Sequence, residues 1–564
     1  MAAYNSWVPA RIGTVYVISG AVALFLAVSI TRASVAATNP PPTKIVHLRP
    51  GADPDGLVHE FGLTPKFIYR YAVNGLAAPM DSAAAERLSH DARVLSIGDN
   101  GEVRSDCVGV GPALIVPASA IVTQQIPAGI MRMGLPNFPM TRYNGQDHRF
   151  NVDVAVLDSG IQLDHPDLNV YLPGSTSFAD GSTNGSDWHG HGTHVSGIIG
   201  ALDNDIGVVG VAPGVRLWSV EVVGPTVNDQ ATLLAGVDYI AQHADRISVV
   251  NVSLTTYAGN IYDTIHAAFS NLVSRGVVVV AAAGNNAGDI CGDTIWGNSD
   301  DVLPAGLPEV MAVSAMDPNT DWFWDCTNSV WVNANNPAFD QIPFFSNYSE
   351  TRHNPEFVHS QGGGIDVAAP GVFVLSTWNG TNYAKLSGTS MASPHAAGLV
   401  ALYIAANGRA TNAAGVYKIR QAIVDGSQPQ LQWFPGGQPA YYYVDSYSGY
   451  DTFVLSTRDP DVYASCAGSF GCITNDLAEP LAVPSESWVP APTIVSQSLS
   501  SNGFAFSFTT VPGYVYTPQF TDTLGASHQW TDLGSTNGTG DLVTASDSAV
   551  SSGRYYRIRR QPRP

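Results

Sequence analysis

Val277-Val278-Val279-Val280-Ala281-Ala282-Ala283-Gly284-Asn285 is an apolar run stopped by a glycine and an amide. Nothing in it alternates, so neither face is reserved for water. That is the pattern of a strand buried on both sides in a parallel sheet. Strand candidates at 153–157, 216–223 and 248–254 precede it, and helical stretches fill 192–201, 230–243, 261–275 and 393–406. Strand and helix in alternation predict an α/β fold, a doubly wound and mostly parallel sheet. Ligands of such sheets sit beyond the carboxyl ends of strands, where Asp158 and Asn285 fall.

Three segments carry a chemical set. Val154-Ala155-Val156-Leu157-Asp158-Ser159-Gly160 ends a strand on a carboxylate. His189-Gly190-His191-Gly192-Thr193-His194 opens a helix, and Gly388-Thr389-Ser390-Met391-Ala392-Ser393-Pro394-His395 leads into an apolar run. Serine attack on an amide needs a base, an acid that orients it, and donors for the developing oxyanion. Ser390 is the candidate nucleophile, His191 the base, Asp158 its orienter and Asn285 the oxyanion donor. Each has a plainer reading. Ser390 could cap a helix, Asp158 a turn, and Asn285 could sit in a left-handed turn before Asn286. His189, His191 and His194 could be structural or metal histidines, although no His-Glu-x-x-His is present. Together the four are hard to explain except as a nucleophilic serine hydrolase. Asp153, at the other end of its strand, reads as a solvated carboxylate, and His194 as a partly buried helix residue.

The 564 residues exceed one ordinary core, and 45% hydrophobic with 13% charged content describes folded protein. Lys and Arg number 26 against 47 Asp and Glu, a net charge of −21 that argues against nucleic acid or anionic lipid as partner. Arg11, an uncharged run from Ile12 to Ile30 and then Ser34-Val35-Ala36-Ala37 predict a signal peptide over 1–37 and an extracellular product. A retained membrane anchor, giving a cell-surface or periplasmic protein, is the alternative. Five cysteines permit the pairs Cys466–Cys472 and Cys291–Cys326, with Cys107 left over.

After a Pro-rich linker at 38–42, residues 43–104 read β-α-β-β-α-β, a small α+β ferredoxin-like domain in which Ser82 is a candidate helix cap. Residues 105–123 form an aperiodic junction segment, and the α/β domain spans 124–484. Pro484, Pro490 and Pro492 mark a linker to an all-β sandwich module at 491–564, whose tail arginines Arg557, Arg559, Arg560 and Arg563 read as a solvated end.

The three motifs resemble those of subtilases, subtilisin-like serine endopeptidases, and Phe345-Ser346-Asn347-Tyr348 and Asp366-Val367-Ala368-Ala369-Pro370-Gly371 are similar to family segments. The resemblance implies Asp158, His191 and Ser390 as triad, Asn285 as oxyanion donor, and protein or peptide substrates. It also implies a structural calcium ion. Its ligands would be the side chains of Asp167, Asn204 and Gln124 and the carbonyls of Leu202, Ile206 and Val208, an all-oxygen set. Residues 43–104, notably Tyr69-Arg70-Tyr71-Ala72-Val73-Asn74-Gly75-Leu76, resemble an inhibitor-type propeptide, implying an intramolecular inhibitor that the enzyme removes itself. With a cut near Gln124, Cys107 would leave with it. Where the family commonly has Ser-Leu-Gly-Gly along its cleft, this chain has Ser253-Leu254-Thr255-Thr256. Aromatics Trp296, Trp322, Phe323, Trp324 and Trp331 form either a local mini-core or a binding surface. Two rivals remain: a transpeptidase using the same acyl-enzyme, and a binding protein on an inactive protease scaffold.

Overall fold

The computed structural model describes residues 40–105, 113–318, 364–428, 481–522 and 529–563, with short omissions inside them. Shorter pieces lie at 322–325, 330–333, 343–349, 442–445, 452–453 and 472–473. The expected signal peptide, Cys107, Cys326 and Cys466 lie outside the described residues, as do the side chains of Cys472, Trp322, Phe323, Trp324 and Trp331. Among the described residues no helix is long and apolar enough to cross a membrane.

The central sheet has seven strands, all paired in parallel, in the spatial order Val367–Pro370, Met311–Met316, Val278–Ala282, Val249–Val252, Asp153–Asp158, Arg216–Glu221, Thr176–Ser177. Chain order reverses at Asp153–Asp158, whose two neighbours come later in the sequence and diverge from it. Asp158 therefore ends the strand at the topological switch point, where such sheets leave a crevice. All six residues of that strand are buried, as are all five of Val278–Ala282, which is why neither shows alternation. Asp153 departs from the sequence reading. It is 6% exposed and accepts bonds from Arg216 Nε (2.9 Å) and Trp218 Nε1 (2.7 Å). Burial pushes its carboxyl up, but Arg216, Trp218 and Arg246 more than reverse this and hold it below the ordinary range. The partners come from the neighbouring strand and its flank, which no local pattern reveals.

Residues 43–104 form a four-stranded antiparallel sheet in the order Phe67–Tyr69, Gly75–Pro79, Thr43–Leu48, Val94–Asp99, with helices Pro54–Phe61 and Ser82–Ser89. One face closes over its own core of Val46, Leu48, Leu57, Leu76, Ala78, Met80, Leu88 and Val94. The other face, with Ile45, Tyr69 and Ala77, packs towards the helix Gln230–Gln242. The second helix is capped by Asp81 and not by Ser82, its side chain accepting from Ala84 N–H at 2.7 Å. Both residue types cap well, so the choice lay with backbone geometry.

The C-terminal module holds two antiparallel sheets, one built on Gly503–Thr509 and the other on Tyr514–Thr521 with Tyr555–Pro562. Three of its tail arginines are engaged. Arg560 lies over Tyr514 and bonds the carbonyls of Val489 and Pro490, Arg557 lies over Trp530, and Arg559 pairs with Asp532.

Candidate active site

The helix His191–Gly200 begins where it can reach the end of the Asp153–Asp158 strand, and two glycines make that approach possible. Gly190 has φ 111°, and a Cβ there would lie 2.5 Å from the Trp378 ring. A Cβ on Gly192 would lie 2.1 Å from the Gly160 carbonyl oxygen and 3.1 Å from Asp158 Cβ. The short distance lets His191 Nδ1 meet Asp158 Oδ1 at 2.7 Å with both side chains fully buried. Asp158 Oδ1 also accepts the Ser159 N–H at 2.7 Å. An Nδ1–H donated to a carboxylate fixes the imidazole with Nε2 as its basic atom.

A second carboxylate, not singled out in the sequence, holds the histidine loop. Asp187 accepts the N–H groups of His189 (2.9 Å), Gly190 (2.8 Å) and Thr193 (2.9 Å) and the Ser159 hydroxyl (2.9 Å). Burial holds it above the ordinary carboxyl range even so. The only hint of it was an Asp two residues before the His-Gly-His run. His189 is in the loop as expected. His194 is fully buried, not partly, with Nε2 3.0 Å from the carbonyls of both Val374 and Ala384, and burial pushes it down to about 3. It is a structural ring, kept neutral.

Ser390 lies in the first turn of the helix Thr389–Asn407, which starts four residues before the expected 393. Pro394 lies inside the expected and the observed helix alike, and it removes one N–H and presses on the carbonyl of Ser390 four residues earlier. Ser253 Oγ supplies the missing donor, bonding that carbonyl at 2.8 Å, and Ser390 Oγ lies 3.3 Å from the Ser253 carbonyl oxygen. Asn251 ties Ser253 to Ser393 Oγ through bonds of 2.9 and 2.8 Å. The Ser390 and His191 helices pack on one another, each bringing its candidate residue at its N-terminal end.

Asn285 sits just past Val278–Ala282. Its amide oxygen accepts Thr389 N–H at 2.8 Å and Thr389 Oγ1 at 3.0 Å, so its NH2 is turned to the other side. Asn347 braces the same loop, donating to the Ala283 carbonyl (2.9 Å) and accepting from Asn286 (2.9 Å) and Gly288 (3.1 Å) N–H. The sequence marked Asn347 only as part of a family-like segment. Trp296 packs against Ala283, Ile290, Val302 and Ile365, a local mini-core.

The six expected calcium ligands gather around one loop. Asp167 is fully buried; Oδ2 accepts from Val208 N–H (3.0 Å) and Tyr383 Oη (3.3 Å), while Oδ1 has no hydrogen-bond partner. Leu202 N–H bonds the Asp167 carbonyl at 3.0 Å. Burial pushes the Asp167 carboxyl up to about 8. Gln124 Oε1 accepts from Asn204 (2.9 Å) and Asp205 (2.7 Å) N–H, Asn204 Oδ1 from Ile206 N–H (3.2 Å), and Ile206 is 43% exposed. An orphaned buried carboxylate oxygen fits a hard cation. Among the described residues no three His, Cys, Asp or Glu side chains converge to hold a metal. A cation here would therefore rest on one carboxylate and amide oxygens.

M-protease of Shouchella clausii (strain KSM-K16) is 38% identical over 283 residues, covering 50% of this chain and 60% of that protein. Subtilisin Savinase of Lederbergia lenta is 38% identical over 281 residues, 50% of this chain and 84% of its own. Subtilisin E of Bacillus subtilis (strain 168) is 33% identical over 343 residues, 60% and 73% respectively. Against M-protease and the alkaline proteases the chain spans only 60% to 65% of the relative's length. A solved structure of a cold adapted subtilisin-like serine proteinase aligns at 24% identity with TM-score 0.39, covering 58% of this chain and 98% of that one. The family model for the subtilase family matches residues 150–445, just over half of the sequence, and the chain belongs to that family.

Proposed function

We propose that this subtilase is a secreted serine endopeptidase, made as a preproenzyme that removes its own residues 43–104. The observation that carries the reading is the fully buried 2.7 Å contact between His191 Nδ1 and Asp158 Oδ1, opening a helix that packs against the Ser390 helix. His191 takes the Ser390 proton through Nε2 as the hydroxyl attacks a peptide carbonyl. Asp158 holds the tautomer and stabilises the imidazolium. The Asn285 NH2, oriented by Thr389, meets the oxyanion with the N–H groups of the first turn, where a helix start favours negative charge. Water then hydrolyses the acyl-enzyme.

Casein hydrolysis and fluorophosphonate labelling of wild type against Ser390→Ala test this. Both signals should vanish in the variant, and equal signals in the two proteins overturn the reading. Asn285→Ala should lower kcat by about 10²–10³ with little change in KM. Asp167, Asn204, Gln124 and the carbonyls of Leu202, Ile206 and Val208 would hold a structural calcium ion. Its charge would keep Asp167 ionised and tie the loop to the residues before it. Calcium should raise the melting temperature of wild type and not of Asp167→Ala.

A further inference from the structure

Trp188 precedes His191 by three residues and is 41% exposed. Its ring is nonetheless fixed. Nε1 donates to the Val223 carbonyl at 2.8 Å, which engages the only polar atom of the side chain. The next residue, His189, is also exposed; its ring centroid lies 5.2 Å from that of Trp188, at 52° between the planes. The two rings make an aromatic corner that faces water, and His189 lies 6.4 Å from the His191 ring.

The corner is preorganised. Asp187 accepts the N–H groups of His189, Gly190 and Thr193, and its own carbonyl accepts Asn379 Nδ2 at 3.1 Å. Trp378, beside Asn379, packs on Gly190 and meets His189 edge-on at 6.2 Å. An aromatic ring fixed while still in water loses little freedom on meeting a ligand, and it keeps apolar area to bury.

The way the domain holds residues 102–104 shows which part of a bound chain meets this corner. Arg104 exchanges both main-chain bonds with Thr255, at 2.8 and 2.9 Å, and Val103 N–H donates to the Asn228 carbonyl at 2.9 Å. Successive side chains of an extended chain point to opposite faces. Arg104 lines a cavity of about 230 Å³ with Thr255, Thr256, Asn286 and Val302, while Val103 is buried at 2% exposure on the other face. Ser253, two residues before Thr255, contacts Ser390 in both directions. A substrate antiparallel to this edge therefore has the residue next to the cut bond two places beyond the one opposite Thr255, on the cavity face. The residue between those two points the other way, towards the edge that begins at Val223 and carries Trp188.

We infer that Trp188 and His189 form a specificity corner that takes an aromatic side chain from the second substrate residue before the bond cut. The inference rests on the endopeptidase reading above. Two rings set at an angle suit a third that approaches edge to face. A basic side chain would also be drawn to an indole face, but it would meet His189, whose protonated form repels it.

Enzyme obtained by expressing the full chain is given quenched peptides that differ only at that second residue, Ala, Phe or Lys, and the cut bond is verified by mass spectrometry. Wild type should cleave the Phe peptide with kcat/KM about tenfold above the Ala peptide, and the Lys peptide no better than the Ala one. In Trp188→Ala the Phe-to-Ala ratio should fall at least about threefold, while Trp188→Phe, which keeps a ring, should retain most of it. A wild-type ratio near one, a preference for Lys over Phe, or an undiminished ratio in Trp188→Ala overturns the inference. Fluorophosphonate uptake shows whether Trp188→Ala has folded. Where it has not, His189→Ala must lower the same ratio, and an unchanged ratio there overturns the inference as well. Wild type that is labelled and cleaves the three peptides alike loses only the corner. Wild type that is neither labelled nor active on any peptide loses the endopeptidase reading with it.

Discussion

The two units that flank the α/β domain differ in one respect: only the N-terminal unit has a second hydrophobic core apart from the one it shares with that domain. Among the described residues the C-terminal module has no hydrophobic core apart from that domain: Phe506, Phe508, Val511, Tyr514 and Tyr516 belong to the same continuous cluster as the central sheet. Its junction is aromatic and close. Trp488 packs edge-on to Phe138 and Tyr403 and donates to the Ala422 carbonyl at 2.9 Å, and a Cβ on Gly513 would collide with the Pro139 carbonyl. The N-terminal unit keeps a core of its own besides the apolar face of Ile45, Tyr69 and Ala77 that joins that cluster, and directed polar bonds add to its junction. Asp238 accepts the N–H groups of Arg70 (3.0 Å), Tyr71 (2.6 Å) and Ala72 (2.7 Å), and Gln230 exchanges bonds with both backbone groups of Gly101. Under the proposed function the first unit stays and the second leaves. A shared apolar core suits permanence, because separating it exposes area at about 25 cal/mol per Å². Polar bonds to a unit with its own core can be exchanged for water at small net cost.

The largest expected effect separates the catalytic domain from its N-terminal neighbour by pH. His194 and His395 are both buried in the domain, and burial pushes them down to about 3 and about 4. The unfolded chain takes up protons below its ordinary histidine value near 6.5, which the folded rings refuse. Stability is therefore full above that value and falls as pH drops towards 4, by about 1.4 kcal/mol per pH unit for each ring. His47 of the N-terminal unit is lowered in the same direction but is only half-buried. Denaturant unfolding of Ser390→Ala between pH 7 and 4.5 should show this slope in the catalytic transition. A flat profile would mean the rings are protonated in place.

Next in size is Phe508→Ala. Phe508 is fully buried against Tyr516, and such truncations cost about 3–5 kcal/mol. Because the core is shared, the loss should appear in the melting of the catalytic domain. Separate melting of the module, with the catalytic transition unmoved, would break the contrast drawn above.

What could be read from the sequence follows the same division. The parallel sheet was legible because strands buried on both faces have nothing to alternate with, and the candidate site because glycines must flank residues at crowded strand and helix ends. Partners that meet across the chain were not. Asp153 looks solvated until Arg216 and Trp218 are beside it. The start of the Ser390 helix was misplaced because the donor that offsets Pro394 lies on Ser253, far away in sequence. Gly75–Pro79, the strand that completes the N-terminal sheet, carries no alternation because its first four residues are all buried.

Asp238→Asn tests the polar side of the contrast. An amide oxygen in place of the carboxylate turns three charge-assisted bonds into neutral ones, each roughly half as strong. Binding of the N-terminal unit should weaken by about 2 kcal/mol, near thirtyfold. The lag between the first cut and the appearance of full activity should shorten accordingly, while kcat on a small peptide substrate stays at the wild-type value. An unchanged lag would mean that the apolar face carrying Ile45, Tyr69 and Ala77 does the holding, and the two attachments would then be alike.

The smallest effect concerns the core that the N-terminal unit keeps for itself. Asp81 caps the helix Ser82–Ser89, whose Leu88 is buried in that core. Loss of a cap of this kind costs about 1 kcal/mol. In Asp81→Ala the N-terminal unit should open more readily while still attached, since its polar bonds to the catalytic domain act only on the folded sheet. Hydrogen exchange read on Ser390→Ala should then quicken across 43–104 and stay unchanged across the C-terminal module. If the two respond together, the N-terminal unit shares its stability with the catalytic domain after all, and its separate core confers no independence.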